Sequence, residues 1–407
     1  MGFPYSKREI ILLTALIVCA FGIRILFFSV AGYRVDMNTF TAWFNTAAEH
    51  GIREFYNIVW CDYPPFNIYL FWVFGTLAKF APPAQITYLI KLVPNLFDVA
   101  TFALIFTSTR KQFNFKTTIL TTAIYAFNPA VIFNTAVWGQ FDAVYTFFLT
   151  LSLLLLLDSK PKFSAVTFTL AVLTKPQSIA LAPLIIFLIF KKHDLRHIFT
   201  VILTVATTTI IIIAPFEWSN PISFLTKIYF GAYEGYAFTT VNAFNIWAFG
   251  GMWVPEAPIH FILGWSMFGA IVAFMLYLLN EKLDPENRLH ILFVGFMLLF
   301  SFFMFPTRIH ERYLFPALSL LALLFPFYKK IRPIYGVLTA TCLLNQAYVL
   351  AFLNSGSYIP VGDPVALAGT SINLIVFLYA LIFLPANLKT NIGTKQITRL
   401  DTAKQDG

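Results

Sequence analysis

The amino-acid sequence predicts an all-α polytopic membrane protein with about 12 transmembrane helices. The first reason is composition: the 407 residues are 58% hydrophobic and 12% charged, whereas a soluble domain is about 45–50% apolar and about 25% charged. The second is the recurrence of apolar runs close to the roughly 20 residues that a membrane helix needs. The third is the one-sided distribution of Lys and Arg between these runs. This composition excludes a soluble enzyme, a disordered chain and a nucleic-acid-binding domain.

The apolar runs define the predicted elements in chain order. No small-residue cleavage site follows the run at 10–30, so we interpret it as a retained helix rather than a signal peptide. The run at 66–80 is only about 15 residues long and follows Pro64 and Pro65. We therefore expect it to lie along the outer interface or to re-enter without crossing. The other runs are predicted to cross, at residues 86–108, 117–137, 142–157, 163–174, 177–190, 198–215, 259–280, 289–305, 313–328, 332–353 and 365–386.

Most of the 28 basic residues fall on one face of this topology. Under the positive-inside rule that face is cytoplasmic, which places both termini and the basic tail at 387–407 inside. The sequence thus predicts one integral domain, residues 1–407, in the cytoplasmic membrane, and its net charge of +9 reflects topology rather than a binding partner. The clusters are Lys7 and Arg8; Arg110, Lys111 and Lys116; Lys160 and Lys162; Lys191, Lys192 and Arg196; Lys282 and Arg288; Lys329, Lys330 and Arg332; and Lys389, Lys395, Arg399 and Lys404.

Two long segments, 31–85 and 216–258, are predicted to be external. They are rich in aromatic residues, Pro, Gly and Asn, whereas the predicted cytoplasmic loops are short and basic. Long ordered loops in a compact protein are usually functional. We therefore expect the chemistry of this protein at the external face, with 216–258 acting as a lid-like loop.

The first external loop carries two candidate carboxylates, Asp36 and Asp62. A carboxylate that is partly desolvated at a membrane interface has a raised pKa and can act as a general base. Each also has a plain structural interpretation: Asp36 as the N-cap of a helix, and Asp62, before Tyr63 and Pro64, as a turn residue.

Two further turns on the external side carry polar residues. One of these turns, at a helix end, contains Trp138, Gln140 and Asp142. It is either a helix–helix turn in which Asp142 is an N-cap, or a polar site with an aromatic ring that stacks on a sugar. Lys175 and Gln177 lie on the next external turn. An external Lys departs from the charge bias of the rest of the chain, so it is a functional candidate.

A cluster of cations follows the predicted helix at 289–305. The cluster contains Arg308, His310 and Arg312 at every second position, with Glu311 between the last two. Arg gives bidentate contacts to phosphate oxygens, and His adds a charge-assisted hydrogen bond. Snorkelling side chains are the alternative, but those are expected inside, so we favour an anion site.

Other charged and polar residues are less specific. The lid-like loop contains Asn245 and Trp247 among many aromatic residues, which suits a cover over a glycan or lipid headgroup. Within the predicted membrane helix at 86–108, Lys91 and Asp98 are seven residues apart on one face and are candidate structural partners.

Five ordered motifs between residues 31 and 316 resemble the GT-C superfamily of polytopic glycosyltransferases, which use polyisoprenyl-phosphate sugars. Within it, the chain is similar to the glucosyltransferases that extend lipid-linked oligosaccharides in the N-glycan pathway. The matching segments are Asp36 with Trp43 and Asp62-Tyr63-Pro64-Pro65-Phe66; Gly139-Gln140-Phe141-Asp142; Lys175-Pro176-Gln177 ahead of Ala182-Pro183; Val241 to Trp247; and His310-Glu311-Arg312.

The resemblance implies a GT-C-like fold with juxtamembrane helices in the first external loop, and an inverting transfer. It gives Asp36 the role of base toward the acceptor hydroxyl and His310 that of a contact to the lipid phosphate. Arg312 stands where the family has Lys. We add Arg308 and Lys175 to the expected phosphate site because both are cations on the predicted external side. The candidate substrate-binding residues are Asp62, Trp138, Gln140, Asp142, Gln177, Asn245 and Trp247.

Some features depart from the family pattern. Asp142 stands where the glucosyltransferases have Asn, and the motif in 216–258 is looser, so the resemblance does not identify the donor sugar; mannose or glucose is our expectation. The short chain fits a prokaryotic relative that acts on another lipid-linked or cell-surface glycan acceptor. Besides membrane lipids, the partners are thus a polyprenyl-phosphate sugar and that acceptor.

No cofactor is expected from the sequence. Related oligosaccharyltransferases bind a divalent cation through loop carboxylates, but the sequence shows no full ligand set, so no metal residue is named. The rival functional class is a multi-pass transporter or flippase of a phosphate-bearing lipid or glycan. A transporter predicts internal repeats and charges near the bilayer midplane, whereas the informative charges here cluster at one surface.

Overall fold

The computed structural model of the chain describes residues 6–80, 82 and 85–403, and it confirms an all-α polytopic architecture. The helices are α1 (Lys7–Leu26), α2 (Arg34–Ile58), α3 (Pro65–Ala78), α4 (Ile86–Arg110), α5 (Phe115–Ala126), α6 (Pro129–Ile132), α7 (Asp142–Leu157), α8 (Pro161–Val172), α9 (Ala182–Lys192), α10 (Leu195–Ile213), α11 (Pro221–Glu234), α12 (Pro258–Glu281), α13 (Arg288–Met304), α14 (Phe315–Leu324), α15 (Ile331–Asn354) and α16 (Pro364–Ala403). Short 3-10 helices cover Pro176–Leu181 and Ile246–Gly250.

Six helices in the described part of the chain are long and apolar enough to cross a membrane: α1, α4, α10, α12, α15 and the Pro364–Pro385 part of α16. A seventh span is formed if α5 and the helix that follows it, bent by 42°, are taken as one. These helices make the chain an integral membrane protein. The predicted number of 12 crossings is not confirmed, because α3, α7, α13 and α14 are apolar but shorter.

The break after α5 has a local cause in the sequence. The side chain of Asn128 accepts hydrogen bonds from the backbone N–H groups of Ala130 and Val131, and Pro129 occupies the first turn of α6. An Asn cap followed by Pro starts a new helix. The chain then continues as a π-helical segment, Phe133–Trp138, which ends at Gly139 with a left-handed φ of 85°.

The centre of the bundle consists of helices that are covered by protein on all sides. Every residue of α14 is buried, as are the residues of α13 from His290 to Met304. A helix that is apolar around its whole circumference belongs in the interior. Large exposed apolar side chains lie instead on helices such as α1, α10, α12 and α16, which is the distribution that surrounding lipid requires.

The first external loop of the sequence analysis contains α2 and α3. They cross closely at Gly75, where a Cβ atom would collide with the backbone carbonyl oxygen of Phe44. The run predicted at 66–80 corresponds to the 14-residue α3. Residues 81, 83 and 84 of this loop, and 404–407 of the predicted basic tail, lie outside the described residues, while 387–403 continue α16.

The predicted lid-like loop is tied to the segment that carries the cation cluster. It contains α11, strand β1 (Thr240–Val241) and the second 3-10 helix. β1 pairs in parallel with strand β2 (Ile309–His310), so that Val241 lies opposite His310. The backbone at His310 is therefore fixed by the lid-like loop itself.

The suggested pairing of Lys91 with Asp98 is wrong. Arg24 of α1 pairs with Asp98, with Nε 2.8 Å from the carboxylate oxygen Oδ2. Lys91 donates to backbone carbonyl groups instead. Seven residues along a helix correspond to about 10 Å, which is too far for a direct ion pair between these side chains.

Candidate functional site

A cavity of about 520 Å³ lies where the predicted polar segments meet. Its walls include six of the candidate residues: Asp62, Lys175, Gln177, Arg308, His310 and Arg312. The remaining lining is largely apolar and aromatic, with Tyr229, Phe230 and Tyr233 from α11, Phe261 and Trp265 from α12, and Phe302 from α13. The cavity therefore has a charged end and an aromatic side, a combination that fits an amphiphilic ligand.

Asp36 lies in the first turn of α2 and is partly buried. It is not among the residues that line the cavity, but it lies close enough to Arg312 and Lys175 for their charges to affect its pKa. Its Oδ2 accepts hydrogen bonds from Trp138 Nε1 at 2.8 Å and from Gln140 Nε2 at 2.6 Å. Among the described residues none donates to Oδ1. Burial raises the pKa of Asp36, although Arg312, the two hydrogen bonds and Lys175 oppose this rise. Asp36 therefore combines a fixed orientation with increased basicity.

Asp142 is fully buried and contacts two cations. Lys175 Nζ lies 2.7 Å from Oδ1, and Arg312 Nε lies 3.4 Å from Oδ2. Asn134 also donates to Oδ2, at 3.0 Å. Asp142 is not among the residues that line the cavity. It lies behind Lys175 and Arg312 and holds them in place.

Arg312 lies between two carboxylates at the charged end. Its Nη1 is 2.5 Å from Glu311 Oε1, in addition to the contact with Asp142. Burial raises the pKa of Glu311, and Arg312 opposes that rise. Two cations and two carboxylates are thus packed together here, so the charges are balanced before a substrate binds.

His310 lies between two tyrosine rings, with its centroid 4.8 Å from that of Tyr236 and 5.1 Å from that of Tyr313. Burial lowers the pKa of His310 well below its usual value, and the neighbouring Arg312 and Lys175 lower it further. The imidazole is therefore neutral in the substrate-free protein and presents one N–H donor.

Arg308 is already engaged with protein groups. Its Nε donates to Glu256 at 2.9 Å, and its Nη1 donates to the backbone carbonyl of Tyr233 at 2.7 Å. The guanidinium carbon lies 3.8 Å from the Tyr233 ring centroid. Because Tyr233 belongs to α11, Arg308 connects the segment that carries the cation cluster to this helix.

Asp62 and Gln177 both face the cavity. Burial raises the pKa of Asp62, and Lys175 is the strongest of the neighbours that lower it. The buried Oε1 of Gln177 has no hydrogen-bond partner within the described chain. Both residues offer acceptor atoms to hydroxyl groups of a ligand.

Asn245 and Trp247 are not brought to this cavity. Asn245 caps the 3-10 helix by accepting a hydrogen bond from the backbone N–H of Trp247. Trp247 donates from Nε1 to the Phe305 carbonyl at 2.7 Å and packs its ring against His260. Their contacts in the structure stabilise the lid-like loop.

Several residues of the site were not assigned a role in the sequence analysis. Tyr63 places its ring 5.1 Å from Lys175 Nζ, and Tyr236 and Tyr313 hold His310. Asn134 supports Asp142, eight residues further along the chain. Tyr63 lies within a motif and Tyr313 directly follows one, which was a usable signal. Tyr236 was one of many aromatic residues in the lid-like loop, and Asn134 lies within an apolar run that gave no signal.

The described residues contain no group of three or more His, Cys, Asp or Glu side chains suited to a metal ion.

One comparison with known proteins identifies a family. The model of the family described as Glycosyltransferase family 87 matches residues 60–306, which is more than half of the chain. No curated protein matches the sequence.

Proposed function

Since the chain belongs to glycosyltransferase family 87, we propose that this membrane glycosyltransferase takes a hexose from a polyprenyl-phosphate sugar. The acceptor in this proposal is a lipid-linked or cell-surface glycan on the external face, and the hexose is mannose or glucose. The observation that carries the proposal is the cavity with Lys175, Arg312 and His310 at one end and an aromatic side. A phosphate headgroup matches the first part and a hydrocarbon tail the second.

The proposed reaction is an inverting displacement in one step. Asp36 removes the proton from the acceptor hydroxyl, and that oxygen attacks the anomeric carbon from the face opposite the phosphate. The bond between the anomeric carbon and the phosphate oxygen breaks, and the electron pair leaves with the polyprenyl phosphate. Its added negative charge is stabilised by Lys175 and Arg312 and by a hydrogen bond from His310.

The supporting residues divide by their contacts. Asp62 and Gln177 supply acceptors for sugar or acceptor hydroxyl groups from the cavity wall. Asp142 acts through Lys175 and Arg312, which it holds by direct contacts. Arg308 acts on the phosphate end indirectly, by fixing α11 beside it.

We also propose the full topology of 12 crossings in a GT-C-like fold. The five shorter crossings are α7, α8, α9 with its preceding 3-10 helix, α13 and α14, and α2 and α3 stay outside as juxtamembrane helices. One feature supports the orientation: α7 begins at Asp142 beside the cavity and ends next to Asp158, which pairs with Lys111 and Arg288. The basic residues of the predicted cytoplasmic loops thus gather at the end of the bundle opposite the site.

The decisive experiment supplies the purified protein, reconstituted in liposomes, with radiolabelled polyprenyl-phosphate mannose or glucose and a membrane-lipid extract as acceptor. We expect transfer of one labelled hexose, and we expect Asp36→Asn to reduce it by about 10²–10⁴-fold, because the base is lost. Asp194→Asn is the matched control, since Asp194 is an exposed helix cap remote from the cavity.

Two outcomes would overturn the proposal. The first is undiminished transfer by Asp36→Asn. The second is labelled donor that crosses the bilayer unchanged while no glycan becomes labelled, which would instead support the flippase alternative.

A further inference from the structure

Lys91 is a fully buried cation whose hydrogen-bond partners are backbone carbonyl groups. Its Nζ donates to the carbonyl oxygen of Val30 at 2.5 Å and to that of Val137 at 2.9 Å, with the Phe27 carbonyl oxygen at 3.5 Å. An ammonium group has three N–H donors. Buried charge inside a membrane protein is expensive and is retained where it has a role.

The positions of these carbonyl groups explain how the charge is accommodated. Phe27 and Val30 follow the C-terminal end of α1, and Val137 lies in the last turn of the π-helical segment. The final carbonyl groups of a helix lack partners within the helix and carry partial negative charge. Val137 is such a terminal carbonyl, whereas Val30 lies in the bend after α1, and the Phe27 carbonyl also accepts from the backbone N–H of Val30. Lys91 therefore binds the end of the π-helical segment and the turn that follows α1 at once.

The two segments that Lys91 joins are those that form the Asp36 hydrogen-bond arrangement. Val30 lies shortly before α2, which carries Asp36, and Val137 immediately precedes Trp138. The segments also touch directly, because a Cβ atom at Gly32 would collide with the Trp138 carbonyl oxygen. The stem of Lys91 packs against Gly139, the residue between the two donors to Asp36.

Asn95, one turn along α4, makes a similar connection. Its Nδ2 donates to the Thr135 carbonyl oxygen at 3.0 Å, and Thr135 Oγ1 donates to Asn95 Oδ1 at 3.0 Å. One face of α4 thus holds the π-helical segment at two points. Of these two residues, only Lys91 also contacts the segment before α2, through the Val30 carbonyl.

We propose that Lys91 is a positioning residue, which holds the Asp36 carboxylate against Trp138 and Gln140 by joining the segments that carry them. The catalytic meaning of this assignment rests on the proposed function of Asp36. The geometric part, that Lys91 maintains the two hydrogen bonds to Asp36, stands independently of it.

The first test replaces Lys91 by Met, which keeps the length of the side chain and removes the donors. The hydrogen bonds from Trp138 and Gln140 lower the pKa of Asp36, so their loss raises that pKa. We expect the acid limb of the pH–rate profile to move upward by about one pH unit, with an unchanged KM for the donor. A uniform loss of rate at every pH, with no movement of the limb, would overturn the proposal.

Other charged groups near Asp36 are not altered by this substitution. Those that contribute to its electrostatic surroundings are Arg312, Lys175, Asp62, Glu311, Tyr33, Tyr63 and Tyr236. Lys79→Met is the matched control, because Lys79 Nζ also donates to a backbone carbonyl of α2, that of Ala48 at 2.8 Å. It removes the same kind of contact at a distance from Asp36, and we expect no movement of the limb.

A double-mutant cycle tests whether Lys91 acts through the donors to Asp36. Gln140→Leu removes one donor directly, and in this background we expect Lys91→Met to move the limb by much less than it does alone, since coupled residues are non-additive. Fully additive shifts would show that Lys91 acts by another route and would overturn the proposal. Lys91→Gln keeps an amide donor, and it replaces Lys91→Met in the cycle if that variant does not fold.

A measurement without substrate separates this proposal from the proposed function. The infrared carbonyl band of protonated Asp36, identified by its loss in Asp36→Asn, is titrated in the wild type and in Lys91→Met. A higher midpoint in Lys91→Met supports the positioning role even if no sugar transfer is detected. Equal midpoints overturn it even if transfer by the wild type is robust.

Discussion

The charged end of the cavity contains anions as well as cations. Arg312 contacts both Glu311 and Asp142, and Lys175 contacts Asp142, so these cations are neutralised in the free protein. In the proposed function, an incoming phosphate competes with these carboxylates for the same guanidinium and ammonium groups. The arrangement also keeps buried charges paired when the cavity is empty, which avoids the large cost of an isolated charge.

Substitution of Asp142 by Asn is expected to destabilise the free protein by about 3–5 kcal/mol, because it leaves Lys175 buried without its partner. Polyprenyl phosphate should then raise the melting temperature of the variant more than that of the wild type, since the phosphate supplies the missing negative charge. Thermal unfolding followed by intrinsic fluorescence, with and without this lipid, measures both effects.

The control for this prediction is Asp158→Asn. Asp158 also pairs with two cations, but its side chain is one-quarter exposed and lies away from the cavity. We expect a loss of only about 0–1 kcal/mol and the same response to the lipid as in the wild type. Equal stabilisation of Asp142→Asn and the wild type by polyprenyl phosphate would contradict the assigned role of Asp142.

The individual residues of the site were only partly predictable from the sequence. Lys175 was recognisable because a lone cation on the external side is unusual, but its partner Asp142 lies 33 positions away. No local pattern encodes that contact, so Asp142 was interpreted as facing a substrate. Trp247 is an aromatic residue of the kind that often stacks on a sugar, yet its indole N–H donates a hydrogen bond to the Phe305 carbonyl oxygen.

The elements around the site depend on close helix crossings. α2, which carries Asp36, approaches α3 at Gly75 so closely that the Phe44 carbonyl oxygen occupies the space of a side chain. Glycine is required there for that reason rather than for its backbone freedom. The position of Asp36 thus depends on a crossing that lies about two turns further along α2.

Gly75→Ala is expected to destabilise the protein by about 1–3 kcal/mol, since the helices must separate to admit the methyl group. Gly269→Ala serves as the control, because nothing lies within 4 Å of a Cβ atom at that position of α12. There we expect no loss, or a gain of up to about 1 kcal/mol from better helix propensity. Melting temperatures of the purified variants give the comparison, and an equal effect at both positions would contradict the close crossing.

The sequence predicted the existence of most helices better than their continuity. The run at 117–137 reads as one apolar segment, but the structure divides it at Asn128 and Pro129, which are a cap and a helix start. The two-residue strands β1 and β2 were not predicted. Their pairing joins segments about 70 residues apart, and so short a strand leaves no periodic pattern.

The distribution of charge over the whole molecule supports one orientation in the membrane. Lys111 and Arg288 pair with Asp158, and Lys192 pairs with Glu286, at the end of the bundle away from the cavity. If that end is cytoplasmic, a cysteine placed at Arg53 of α2 should react with a membrane-impermeant maleimide in intact cells. A cysteine at Lys160 should react only after permeabilisation.

This labelling requires a background in which Cys19, Cys61 and Cys342 are replaced, because Cys19 is itself exposed. Arg53 and Lys160 are both exposed positions, so accessibility within the protein does not distinguish them. Labelling of Lys160→Cys alone in intact cells would reverse the proposed orientation and place the cavity on the cytoplasmic face.

The enclosed central helices have a consequence for the response of the protein to its bilayer. α13 and α14 have 17 and 10 residues and measure about 26 and 15 Å, less than the roughly 30 Å hydrocarbon core. Because protein surrounds them, this difference in length exposes none of their backbone to lipid. Hydrophobic mismatch therefore acts first on outer helices such as α10 and α12, which can tilt to accommodate it. The candidate site beside these helices is thereby buffered against changes in membrane thickness.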